Sequence, residues 1–311
     1  MAHALADARA ESSPAVYRRF SRVAWGVLAY NMLVVLWGAF VRATGSGAGC
    51  GNRWPLCNGV VVPRAASVQT IIEFTHRVMS GVAILGVCGL CLWAFLLFPR
   101  GRRARLFAAL SAVFLFAEAL LGAGLVLFRY VEHNASAGRA VYLSAHLVNT
   151  QILLAMLALT AWFGAEGASR RWHAAPRVVM AALPVAVIVA VSGAIAALGD
   201  TLFPARSVSA GIHQEFAANA AALLRMRALH PVIAALGSAV VLMAAITALR
   251  SPRPAAVHCG YAVALLLFVQ LAAGVINIFL LAPVWMQITH LLIADLLWIS
   301  LVVTALETGR A

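Results

Sequence analysis

Glu73-Phe74-Thr75-His76-Arg77 stands at the head of an apolar run that continues to about residue 98, and it decides how the chain is read. A histidine just inside a long hydrophobic stretch recurs at Ala145-His146-Leu147, Leu229-His230-Pro231 and Thr289-His290-Leu291. Crossing a bilayer as a helix takes about 20 largely apolar residues. Eight such runs are present, at about 23–42, 70–98, 106–128, 141–163, 178–198, 228–249, 256–282 and 284–306, the last two divided at Pro283. The four histidines open the second, fourth, sixth and eighth.

Composition agrees. With 63% hydrophobic residues, 11% charged residues and a mean hydropathy of +0.93, most of the chain has lipid as its solvent. The net charge of +13 does not make a nucleic-acid surface, because the arginines lie singly or in short clusters between apolar runs. The N-terminal segment, the loops near 100–105, 170–177 and 250–253, and the tail hold 14 of the 23 arginines. The positive-inside rule then places both termini in the cytoplasm. Residues 1–22 are polar and the first apolar run is long enough to span, so no cleavable signal peptide is expected.

In this topology all four histidines lie within about two turns of the outer face, at one depth. The other five, His3, His133, His173, His213 and His258, fall in termini, loops or helix edges. The two halves also repeat. His76-Arg-Val-Met-Ser-Gly81 matches His230-Pro-Val-Ile-Ala-Ala235, and His146-Leu-Val-Asn-Thr-Gln151 matches His290-Leu-Leu-Ile-Ala-Asp295. Leu121-Gly-Ala-Gly124 is paired with Leu271-Ala-Ala-Gly274. Four spans per half keep the halves parallel about an axis along the membrane normal. The expected fold is an all-α integral membrane protein of eight transmembrane helices, built as two pseudo-symmetric four-helix bundles, 1–168 and 169–311.

An intramembrane histidine is costly unless it faces the bundle interior and has a partner. For one histidine a helix-to-helix hydrogen bond would suffice. Four at one depth, paired by a repeat, fit two haem sites, each iron taking two imidazoles from facing helices. Zinc would need more ligands than the two each half offers. Arg42 and Arg77 in the first half, and Arg225 and Arg227 in the second, are candidates for the haem propionates; each also reads as a cationic helix end in the headgroup zone. Glu73 stands three residues before His76 on one helical face, whereas Arg227 holds that place before His230. The carboxylate could act as a base or stabilise charge at one haem only, or simply complement the helix dipole. The remaining polar residues in the spans are Glu118, Gln151, Gln270, Asn277 and Asp295, of which Gln151 and Asp295 are repeat equivalents. Cys50 and Cys57, on the outer side, can close a small disulfide loop around Trp54-Pro55-Leu56 or stay as thiols; two sulfurs without a third ligand make a poor metal site.

Three runs together, Arg42-Ala-Thr-Gly-Ser-Gly-Ala-Gly-Cys50, Trp54-Pro-Leu-Cys57 and Glu73-Phe-Thr-His-Arg77, resemble the haem A synthase family. The resemblance covers essentially the whole chain, although the second half matches mainly through its two histidines. It implies oxidation of one ring methyl (carbon 8) of haem O to a formyl group by successive hydroxylations and loss of water. It further implies His76 and His146 at the substrate haem, His230 and His290 on the iron of a haem b cofactor, Glu73 in catalysis, and Cys50 and Cys57 in a disulfide. Implied partners are haem O, membrane lipid, haem O synthase, an electron donor and cytochrome oxidase assembly, in a bacterial inner membrane, with a homo-oligomer left open. One departure stands out: some members carry a second cysteine pair, and residues 199–227 contain none. The main alternative is a di-haem electron carrier of the cytochrome b kind, which usually places its histidines on two helices at two depths. A transporter with parallel repeats would show broken helices around midplane polar residues.

Overall fold

The structure is a computed structural model that describes residues 14–64, 66–165 and 173–309. The boundary expected at 168/169 lies outside the described residues. In order, the helices are α1 (Pro14–Ala43), α2 (Val68–Leu97), α3 (Arg103–Leu127), α4 (Ala137–Gly164), α5 (Arg177–Leu202), α6 (Val208–Phe216), α7 (Ala222–Leu249), α8 (Pro254–Phe279) and α9 (Val284–Thr308). Among the described residues, all but α6 are long and apolar enough to cross a membrane, which makes this a multi-pass membrane protein.

Several boundaries move outward from the apolar runs. The described part of α1 runs from Pro14, with Phe20 and Ala24 buried on one side of its first turns and Arg18, Arg19 and Arg22 exposed on the other. Ser67 and Ser136 cap α2 and α4 by accepting the N–H groups of Thr70 and Arg139. Helix α6, capped by Ser207, was not expected: a nine-residue helix is invisible to a reading that looks for runs of spanning length.

Packing closes two rings. Helix α1 contacts α2 and α4, and α3 contacts the same two; α5 contacts α7 and α9, and α8 contacts the same two. The rings meet through α4 on α5, α9 on α1, and α4 on α9. At the centre of that seam Gln151 donates to Asp295 at 3.1 Å, so the two repeat equivalents bond to each other. Trp298 adds a bond from its indole to the Gln151 carbonyl at 2.8 Å. Such interhelical bonds in membranes are worth about 0.6 kcal/mol on average.

Away from the histidines the interior is dense. Phe20 sits edge-on to Trp93 and Phe98, with centroids at 5.3 and 5.0 Å. A Cβ added to Gly164 would come within 2.6 Å of the Phe20 ring, so the backbone of α4 lies directly against it.

Candidate haem sites

The four histidines share a level in the structure. His76, His146, His230 and His290 lie eight, nine, eight and six residues past the starts of α2, α4, α7 and α9. At 1.5 Å per residue that is roughly 9–14 Å along each helix. His76 and His146 are close enough for their charges to act on one another, and so are His230 and His290. The pairs therefore form within the halves.

At this level the histidine-bearing helices carry no fully buried side chain. No residue is fully buried over 33–40, 74–82, 116–122 and 140–148 in the first half. The same holds over 225–236, 268–272 and 287–294 in the second. The ring Nδ1 atoms of His76 and His290 are nonetheless shielded from solvent and meet no hydrogen-bond partner among the described residues. An imidazole nitrogen that is desolvated and unpaired is costly unless something ligates it. Two imidazoles per half, on separate apolar helices, fit the needs of a bis-histidine haem. Among the described residues no cluster of three His, Cys, Asp or Glu is present, so a multi-carboxylate or zinc centre does not fit.

Each histidine rests on a glycine of a neighbouring helix. A Cβ at Gly38 would stand 3.0 Å from His76 Cε1 and 3.2 Å from Nε2, and one at Gly193 would stand 3.0 Å from His230 Cε1. Gly274 faces His290 at 3.3 Å, and Gly122 faces His146 at 3.9 Å. The helices carrying these rings can approach so closely only where the opposing residue has no side chain. Gly38→Ala is expected to displace the His76 imidazole and cut haem content in the first half. Gly122→Ala, with room for a methyl, should leave it unchanged. Absorbance of the purified variants against chain concentration checks both; equal haem loss from the two would mean the glycines do not set the rings.

The polar partners differ by half. His230 Nδ1 is 2.9 Å from Ser192 Oγ, and His290 Nε2 is 3.1 Å from Gln270 Nε2. His146 Nδ1 lies 3.2 Å from Glu118 Oε1, close enough for a charge contact although off the line of a hydrogen bond. These contacts correct the register of the repeat. Glu118 and Gly122 correspond to Gln270 and Gly274, two residues away from the pairing of Leu121 with Leu271. The helix ends agree, since Phe128 and Leu280 are C-caps and Arg129 and Leu281 both turn left-handed, at φ 58 and φ 59.

Glu73 is 3% exposed and bound on both oxygens. Oε1 pairs with Arg77 at 2.5 Å, and Oε2 accepts the Cys50 N–H at 2.7 Å. Arg77 then donates through Nη1 to the carbonyls of Arg53, Pro55 and Leu56. Cys50 and Cys57 form a disulfide, so Glu73 and Arg77 clasp the cross-linked loop onto α2. Glu73 lies beyond the first turn of α2, which sets aside the helix-dipole alternative.

The arginines suggested for propionates are mostly engaged elsewhere. Arg227 bonds Glu215 at 2.6 Å, Asp200 at 3.2 Å and the carbonyls of Phe203 and Gly211, tying α6 to α5 and α7. Arg42, expected at the first-half haem, instead reaches the second half. Its guanidinium bonds Ala197 O, Thr201 Oγ1 and Gln287 Oε1, each at 2.8 Å. Arg225 is exposed and gives one bond, to the Ala218 carbonyl.

A family described as cytochrome oxidase assembly protein, COX15-CtaA, matches residues 21–302. The chain belongs to that family. Among curated relatives, a Heme A synthase of Exiguobacterium sibiricum is 41% identical over 98 residues, 32% of this chain and 33% of that protein. A Heme A synthase of Bacillus cereus is 47% identical over 97 residues, 31% of each. The chain thus belongs to the haem A synthase family, as the loop and the Glu-x-x-His-Arg run suggest. A protein of Thermus thermophilus named Protoheme IX farnesyltransferase is 46% identical over 300 residues, 94% of this chain but 49% of that protein. The chain spans about half the length of that relative.

Sequence reasoning missed the four glycines, Glu118, Gln270 and Ser192 as site residues. A signal was present: Trp37-Gly38-Ala39 and Ser192-Gly193-Ala194 lie 155 residues apart, against 154 for His76 and His230. Aligning the first span with the fifth, in addition to the third with the seventh, exposes it.

Proposed function

We propose that this chain is a haem A synthase, which oxidises the carbon 8 methyl of haem O to a formyl group for cytochrome oxidase. What carries the reading is the pair of histidine couples at one level inside two rings of helices, with acids beside the first couple only. Each hydroxylation takes two electrons from the methyl carbon, and loss of water from the second product leaves the aldehyde. Where dioxygen supplies the oxygen atom, each round also takes two electrons and two protons to reduce the second atom to water, and an electron donor is required; where water supplies it, the two electrons pass to an acceptor.

The division of labour follows the halves. His76 and His146 hold the substrate haem within 1–168, and His230 and His290 hold haem b within 169–311. When bound, haem b would supply one-electron transfer. Glu73 Oε2 accepts one donor and keeps a second lone pair, so it can take a proton at the edge of the substrate site. Arg77 holds the disulfide loop over that edge and limits water entry. Arg225, with most of its donors free, suits a propionate best, and Arg42 keeps two of its five N–H groups for the same use. The arginine distribution supports a bacterial inner membrane with both termini cytoplasmic.

Farnesyl transfer, in the name of the Thermus relative, belongs to a protein about twice as long as the matched region. The three aspartates here, Asp7, Asp200 and Asp295, are far apart in sequence, whereas magnesium-bound phosphates need carboxylates gathered around the ion. A prenyl transferase is instead the class of enzyme that would supply haem O. The reading is tested by extracting haems from cells that make this protein with a haem O synthase in a host lacking haem A. Haem A or its hydroxylated precursor supports the synthase. Unaltered haem O beside bound haem B, with an electron donor supplied, would favour a di-haem carrier.

A further inference from the structure

The group behind the histidine of the fourth membrane helix differs between the halves. In the first it is a carboxylate, Glu118 Oε1, 3.2 Å from His146 Nδ1. In the second it is an amide, Gln270, whose Nε2 lies 3.1 Å from the other ring nitrogen, His290 Nε2, while His290 Nδ1 meets no partner among the described residues. The shared helix-end geometry of α3 and α8 puts both at one structural position, four residues before Gly122 and Gly274. Glu118 does not hang loose. Asn149 donates to its Oε2 at 2.6 Å, and the Thr150 hydroxyl donates to its Oε1. Both donors are buried residues of α4, and Thr150 also bonds the His146 carbonyl at 2.9 Å. The carboxylate is therefore locked to the same turns of α4 that carry the ligand. Packing alone would accept glutamate or glutamine, which are nearly the same size.

We infer that Glu118 is a positioning residue for the substrate haem: it holds His146 with Nδ1–H toward the carboxylate and leaves Nε2 for iron. A carboxylate behind a ligating histidine fixes the tautomer and raises the basicity of the ring. A more strongly donating ligand favours the oxidised iron and lowers its potential. Gln270 is neutral and lies at Nε2 of His290 rather than at Nδ1, so the second histidine has no such carboxylate behind it and the two haems are tuned apart. The inference rests on the reading that His146 ligates the substrate haem.

The test is a spectroelectrochemical titration of the full-length protein, purified with bound haem, in a His230→Ala background that leaves the first site as the one observed. Glu118→Gln should move the midpoint potential upward with haem content retained, and Glu118→Asp should bring it part of the way back. Glu118→Ala should weaken haem binding by about 10- to 100-fold. An unchanged potential in Glu118→Gln, with haem bound, would overturn the inference. Should Glu118→Gln not retain haem, Glu118→Asp is read in its place, and an unchanged potential there overturns the inference in the same way. Retention of the first-half haem by His146→Ala would instead overturn the ligand reading itself, a separate result.

Discussion

Glu73→Gln lowers haem A formation by about 10²- to 10⁴-fold, the range for loss of a positioned acid or base, and leaves haem content unchanged. The substitution keeps the shape of the side chain but removes the carboxylate proposed to accept a proton at the substrate edge. It also disturbs the clasp, because the new amide cannot pair with Arg77 as the carboxylate does at 2.5 Å. Arg77→Gln separates the two effects. It breaks the same clasp on the loop carbonyls of Arg53, Pro55 and Leu56 while the carboxylate stays. It is expected to cost much less than Glu73→Gln. Product measured by chromatography with mass detection decides; equal losses would make Glu73 a loop anchor and remove its catalytic role.

On the proposed assignment, His230→Ala is expected to empty the second half of haem b and halt product formation, with haem O still bound between His76 and His146. Removing one of two axial imidazoles leaves Ser192, 2.9 Å from the lost ring, with no nitrogen to offer. Haem extracted per chain should fall by about half, from two groups to one, if each half holds one haem. Unchanged haem b would show that the second site is misassigned.

Much of the fold was legible because lipid imposes a simple rule: each crossing must be a long apolar helix. The eight spans, the common level of the histidines and the kinship of Gln151 with Asp295 all follow from run lengths and a repeat. What stayed hidden was pairing in space. Glu118 sat among the polar residues of the spans with no partner assigned, because the sequence does not say that α3 turns it toward His146. Arg42 was placed with its own half, yet at the seam between rings its guanidinium finds acceptors on α5 and α9. The contrast of Glu73 with Arg227 suggested a catalytic acid in one half and nothing in the other. The structure shows that both also tie a loop or short helix to the bundle, Glu73 through Arg77 and Arg227 through Asp200 and Glu215. Charge type was readable, and its partners were not.

The most direct test of the two-site account is the identity of the haem lost from each half. Purified wild type, His76→Ala with His146→Ala, and His230→Ala with His290→Ala would be made in cells supplying haem O, and their haems extracted and weighed. The account predicts that the first double variant keeps haem b and loses haem O and its oxidised products, and that the second does the reverse. Loss of the same haem from both variants would contradict it, because the two histidine couples would then serve one site.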